Sequence, residues 1–102
     1  MPNQQQVQQT YARLNGEVFA NRLPKIMVVF DDLSDSDVVG CWDPSTKRIY
    51  LDKALSPRQR QAVLLHEMLH VEQWYQRGRC NHGWFFQKRC KQIKRLHGLF
   101  VG

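Results

Sequence analysis

Long apolar runs are missing from this 102-residue chain: the longest uninterrupted one is Ile26 to Phe30. A bilayer-spanning helix needs about 20 such residues, so a membrane is not expected among its partners. Cysteine is sparse and unpaired in pattern. Cys41, Cys80 and Cys90 are an odd number without a CxxC pair, which argues against a disulfide framework. The opening "MPNQQQVQQ" has neither the basic end nor the apolar segment of a secretory signal. A reduced, cytoplasmic protein is the expectation. Acidic residues are missing from one end: no Asp or Glu follows Glu72. Residues 1–57 carry six Lys/Arg and seven Asp/Glu, a net of −1, whereas residues 58–102 carry nine Lys/Arg against Glu67 and Glu72, a net of +7. That asymmetry fits an acidic partner, with nucleic acid the first candidate, or else a solvated basic face that aids solubility.

What is present reads as one domain over residues 1–102, long enough for a single core. Val7, Tyr11, Leu14 and Val18 recur at helical spacing and predict an amphipathic helix over 4–20. "LPKIMVVFDD" predicts a strand over about 25–31, and "VVGCW" and "RIYLD" two more, joined by the turn signal of "DPSTK". Ser56, Pro57 and Gln59 form a helix start with N-cap, first-position proline and capping-box partner. That helix should run to about Arg77, with Gly78 as its left-handed cap, and a last helix should cover 84–97 and end at Gly98. The order is helix, three strands, two helices, hence an α+β fold with a small antiparallel or mixed sheet packed on the central helix. Leu64, Met68, Val71 and Tyr75 form one apolar stripe of that helix, and Ala62, Leu65 and Leu69 lie on another side. A helix apolar on two sides is buried between layers.

Within this helix, "LLHEMLHVEQW" places two histidines at i and i+4 with a glutamate between them. His66 and His70 lie about 40° apart around the axis and one turn apart along it, close enough to hold one ion. Glu67 lies about 60° beyond His70, so it faces the open position beside the ion. This is the HExxH arrangement, in which two neutral imidazoles bind zinc and the carboxylate takes a proton from the activated water. It arises by chance in roughly a few per thousand chains of this length. The bland alternative is a pair of core histidines satisfied by backbone partners.

A third ligand can be sought by elimination. "VEQWYQ" lacks the glycine and histidine that a metzincin would place just after the motif, and no later carboxylate exists. Cys80, His82, Cys90 and His97 remain. On a last helix extended back to residue 82, His82, Phe86, Cys90, Ile93 and His97 share the inward face, but His97 would lie about 22 Å along the axis from His82, so the two cannot share an ion. His97 is better placed as a partly buried histidine at a helix C-terminus. From His70 the chain runs about 10 Å to Arg77, and the next five residues suffice to bring His82 back. His82 is therefore the preferred third ligand and Cys80 the second choice.

The chain resembles the SprT-like zinc metallopeptidase domains over most of its length. "LNGEVFANRLP" is similar to that family's opening helix and entry into the first strand, "GCW" and "RIYLDKAL" to its second and third strands, and "LLHEMLHVEQW" with "NHGWFF" to its metal motif and third histidine. The resemblance implies one zinc per chain held by His66, His70 and His82, Glu67 as catalytic base, and the small Gly40 near the cleft. It also implies cleavage of proteins crosslinked to DNA, with DNA as activator. The expectation is thus a zinc endopeptidase acting on protein or peptide substrates. The alternative is a zinc-containing DNA-binding or partner-binding module with little hydrolysis, although a structural zinc needs no general base and usually has four protein ligands.

Two surfaces complete the expectations. Trp42 on the second strand either lines, with Gly40, a groove where an extended peptide pairs with the sheet edge, or is simply core. On the last helix Lys88, Lys91 and Arg95 cluster within about 60° on the side that carries Trp84. Such a face suits single-stranded DNA, bases stacking on the ring and cations meeting phosphates; otherwise Trp84 packs on the preceding loop.

Overall fold

The glutamine-rich opening proves to cover a sheet edge. In the computed structural model, which describes residues 3–102, helix α1 spans Gln4–Phe19 and buries the expected stripe of Val7, Tyr11, Leu14 and Val18. Gln4 donates to the carbonyl of Val28, and Gln8 donates to that of Ile26 at 2.7 Å while accepting from the Val28 N–H at 3.0 Å. Strand β1 (Met27–Asp31) is an outer strand, so these side chains occupy backbone groups that would otherwise form an unpaired edge. Asn15 closes the turn between them, accepting from the Leu23 N–H and donating to the Leu23 carbonyl.

Strands β2 (Gly40–Asp43) and β3 (Arg48–Asp52) complete a three-stranded mixed sheet of order β1-β3-β2. β3 runs parallel to β1 and antiparallel to β2, placing Ile49 beside both Val28 and Trp42. Val28, Ile49 and Leu51 are fully buried. β2 starts two residues later than "VVGCW" suggests. Val38 and Val39 are about half exposed, and the Ser36 hydroxyl donates to the Val38 carbonyl, so regular pairing begins only at Gly40.

Helix α2 (Pro57–Arg77) has the expected start and stop: Ser56 and Gln59 make a reciprocal capping box, and Gly78 takes the left-handed conformation at φ 70°. Val63, Leu64, Leu65, Met68, Leu69 and Val71 are buried on several sides of it, as expected of a helix between layers. Tyr75 departs from the stripe and is half exposed. Helix α3 (Trp84–His97) buries only Phe86 and Ile93, and it starts after His82, which stands in the preceding loop. His97 is exposed rather than partly buried, because the helix has left the core after Ile93.

One ion-pair hub joins these pieces. Glu72, with its side chain 3% exposed, accepts from Arg89 of α3 at 2.8 and 3.2 Å and from Arg22 of the α1–β1 connection at 3.3 Å. Removing Arg89 would leave a buried carboxylate short of its main partner, a loss of about 3–5 kcal/mol. Beyond α3, Leu99 and Val101 pack against the core, and the Gly102 N–H donates to the Ala62 carbonyl at 3.0 Å, laying the tail along α2. Among the described residues, no helix is long and apolar enough to cross a membrane.

Candidate metal centre

Helical spacing puts His66 and His70 on one side of α2, and the turn at Gly78 reverses the chain so that His82 comes back to meet them. The three Nε2 atoms form a nearly equilateral triangle, 3.2 Å from His66 to His70, 3.1 Å from His70 to His82 and 3.0 Å from His82 to His66. Among the described residues this is the one group of three or more His, Cys, Asp or Glu side chains close enough to share an ion. The donor set fits a metal. Nitrogens bound to one tetrahedral zinc at about 2.0–2.1 Å stand about 3.3–3.4 Å apart, so small shifts would suffice. Hydrogen bonds alone cannot satisfy the triangle, since a proton on one ring nitrogen serves one neighbour and leaves other lone pairs facing each other.

The surroundings hold these rings in place. The buried Phe86 ring lies 4.9 Å from each of the three imidazole centroids, forming an apolar floor. His70 Nδ1 meets Gln73 Oε1 at 3.2 Å, and the same oxygen accepts from the Asn81 N–H at 3.2 Å, while Gln73 Nε2 donates to Asn81 Oδ1 at 3.1 Å. Gln73 thereby ties the His70 ring to the residue before His82. His66 Nδ1 meets the backbone oxygen of Gly102. Burial pushes the His70 imidazole down to about 4, against the pull of Gln73, and lowers that of His66, keeping both in the neutral, ligating form.

Glu67 is 6% exposed, and burial pushes its carboxyl up to about 7, with the backbone N–H of Trp42 acting in the opposite direction. It stands where Gly40 of β2 packs closely on α2. A Cβ placed on Gly40 would lie 2.6 Å from Val63 Cγ1 and 3.3 Å from both Cγ and Oε2 of Glu67, so only glycine permits this approach. A cleft of about 240 Å³ opens there, lined by the three histidines, Glu67, Gly40, Trp42 and Cys80 among others. Cys80, the second choice for the third ligand, lines this cleft but donates its thiol to the His70 carbonyl at 3.3 Å and lies outside the histidine group. Burial, then the charge of Glu67, raises its pKa.

Residues 5–95 match the family described as "Putative metallopeptidase family (DUF6782)". The chain belongs to this metallopeptidase family. No curated protein matches it.

For a metallopeptidase domain the histidine cluster and the glutamate beside it are the natural centre, and Gly40 and Trp42 both line its cleft. Trp42 is also core, at 8% exposure, and packs at 6.4 Å against Tyr75, which stays out of the cleft lining. Trp84 is 68% exposed, with Lys88 Nζ 5.8 Å from its ring centroid, and Lys91 and Arg95 are exposed on the same helix. The structure adds Arg77, whose guanidinium lies 5.6 Å from the Trp84 centroid and 4.5 Å from that of Phe85. Phe86, expected on the inward face of the last helix, is buried there, but two residues around the metal site were not singled out from sequence. Gln73 had a signal in its position three residues after His70. Gly102 had none.

Proposed function

We propose that this metallopeptidase-family domain is a zinc-dependent endopeptidase of the SprT-like type, with the ion held by His66, His70 and His82 and Glu67 as general base. The observation that carries this reading is the convergence of three Nε2 atoms within 3.2 Å of one another, in a cleft shared with a buried carboxylate. When bound, the ion supplies a Lewis acid that brings the pKa of a water toward neutrality. Burial favours the neutral form of His66 and His70, so both can present lone pairs beside His82. Glu67 accepts the water's proton on a carboxylate oxygen and can return it to the departing amine. Burial raises the Glu67 carboxyl in the metal-free protein, and a bound cation would draw it back toward the carboxylate form that a base requires.

β2 pairs only with β3, so its other edge is open, and its residues Gly40, Cys41 and Trp42 line the cleft. An extended peptide can add to that edge past Gly40, whose missing side chain leaves room beside Glu67, with Trp42 as the floor of the groove. Proteins associated with or crosslinked to DNA are the substrate class that the basic, aromatic face of α3 favours, with a single strand lying along Trp84, Lys88, Lys91 and Arg95. The decisive experiment is Glu67→Gln with zinc content and casein cleavage measured together. Gln keeps size and hydrogen bonding but cannot take the proton, so the variant should fold, retain zinc and lose cleavage by about 10²–10⁴-fold. Wild-type cleavage by this variant would rule Glu67 out as the base. A wild-type protein that binds zinc and single-stranded DNA but cleaves nothing would favour the zinc-containing binding module instead.

A further inference from the structure

The two α2 histidines differ in what can hold their rings. His70 finds a partner one turn on, in Gln73. The neighbours of His66 at the corresponding positions are Ala62, Val63, Leu69 and His70, none with an oxygen acceptor on its side chain. Its Nδ1 instead meets the backbone oxygen of Gly102, 36 residues away in sequence. Gly102 is held in place on both sides. The Gly102 N–H donates to the Ala62 carbonyl at 3.0 Å, and Leu99 and Val101 pack against the core. The approach is close enough that a Cβ on Gly102 would lie 3.1 Å from Ala62 Cβ, 3.2 Å from the Ala62 carbonyl carbon and 3.3 Å from Val63 N.

We infer that Leu99–Gly102 is a strap that sets the tautomer of His66: the Gly102 backbone oxygen accepts the Nδ1–H, leaving Nε2 unprotonated toward His70 and His82. A carbonyl or carboxylate oxygen can only accept, so the hydrogen bond requires the proton on Nδ1, and a neutral ring then has its lone pair on Nε2. The same contact fixes the rotation of the ring, the role that outer hydrogen-bond partners play for metal-binding histidines. Gly102 also walls the end of a neighbouring cavity of about 230 Å³ that it shares with Asp37, Val39 and Glu67. The strap is therefore a positioning element for the site, and its role rests on the metal-binding reading above.

The test uses the whole chain in three forms: wild type, Gly102→Ala and a variant lacking Gly102. Ring ¹⁵N NMR of the metal-free proteins reports the tautomer without any metal or activity, and competition with a chromophoric chelator reports Zn²⁺ affinity. Wild-type His66 should show the Nδ1–H tautomer. Loss of Gly102 should admit the Nε2–H form at His66 while leaving His70 unchanged, and should weaken Zn²⁺ binding about 10–100-fold. Gly102→Ala should fall between, and it decides the question if the shortened chain does not fold. Zinc binding of equal strength in all three proteins, or a wild-type His66 protonated on Nε2, would overturn the strap and leave the metal site standing. A wild-type protein that binds no zinc would overturn the metal site, and the strap's role with it.

Discussion

Gly40→Ala is the substitution whose effect follows most directly from the geometry. The added Cβ would sit 2.6 Å from Val63 Cγ1, well inside contact distance, and 3.3 Å from two atoms of Glu67. Val63 is β-branched, buried and on a helix, so it has one strongly preferred rotamer and cannot swing aside. Either β2 lifts from α2 or the helix yields, and overpacking of this kind costs about 1–3 kcal/mol. For a domain of this size each kcal/mol lowers Tm by roughly 4–8 °C. Thermal denaturation followed by circular dichroism should show that fall. Val63→Ala, which deletes the clashing methyl, should lose stability alone but recover part of it in combination. The double variant should be more stable than the sum of the two by about 1 kcal/mol or more. Cleavage should behave differently, since Val63→Ala does not relieve the crowding of Glu67 Oε2. Casein cleavage, with zinc content as control, should stay depressed in the double variant. A Gly40→Ala protein that melts with the wild type, or strictly additive effects, would refute the close approach as the reason for glycine.

The ligand set and the basic face give the remaining predictions. His82→Ala should lose most of its zinc on dialysis, whereas His97→Ala should keep it, and full occupancy in the former would shift attention to Cys80; metal analysis of the dialysed proteins decides. Binding of a short single-stranded DNA should weaken with salt along a log–log slope near −2, as expected for about three neutralised phosphates. Exchanging Lys88, Lys91 and Arg95 for Glu should flatten or abolish that dependence, and an unchanged variant would remove this face from the binding surface.

The layered α+β arrangement was legible because each of its elements carries local signals. Ser56, Pro57, Gln59 and Gly78 mark both ends of α2 through capping chemistry that involves only near neighbours. His82 could be singled out because the acid-free region after Glu72 left few alternatives. Contacts between distant segments were the illegible part. Gly102 beside His66 has no counterpart in any local pattern, and the parallel pairing of β1 with β3 joins strands 21 residues apart in sequence, β1 lying against α1 and β3 against α2. Extrapolating the inward face of α3 as far as His97 failed for a related reason. A periodic pattern continues along a helix, but the core beneath it ends at Ile93.

The slender attachment of α3 bears on how the protein loses order. α2 contributes ten buried residues, whereas α3 contributes two and the ion pair to Glu72. Segments with few buried apolar contacts open at a smaller free-energy cost than the molecule as a whole, and they exchange their amide hydrogens first. Here that segment comes with His82 on its leading side, carries Phe86 beneath the imidazoles, and leads into the tail that meets His66. One local opening therefore dismantles three parts of the centre together while the sheet and α2 stay folded. The histidine centre is then expected to come apart at a smaller free-energy cost than the fold as a whole, and an ion bridging α2 to His82 would draw the two costs closer together.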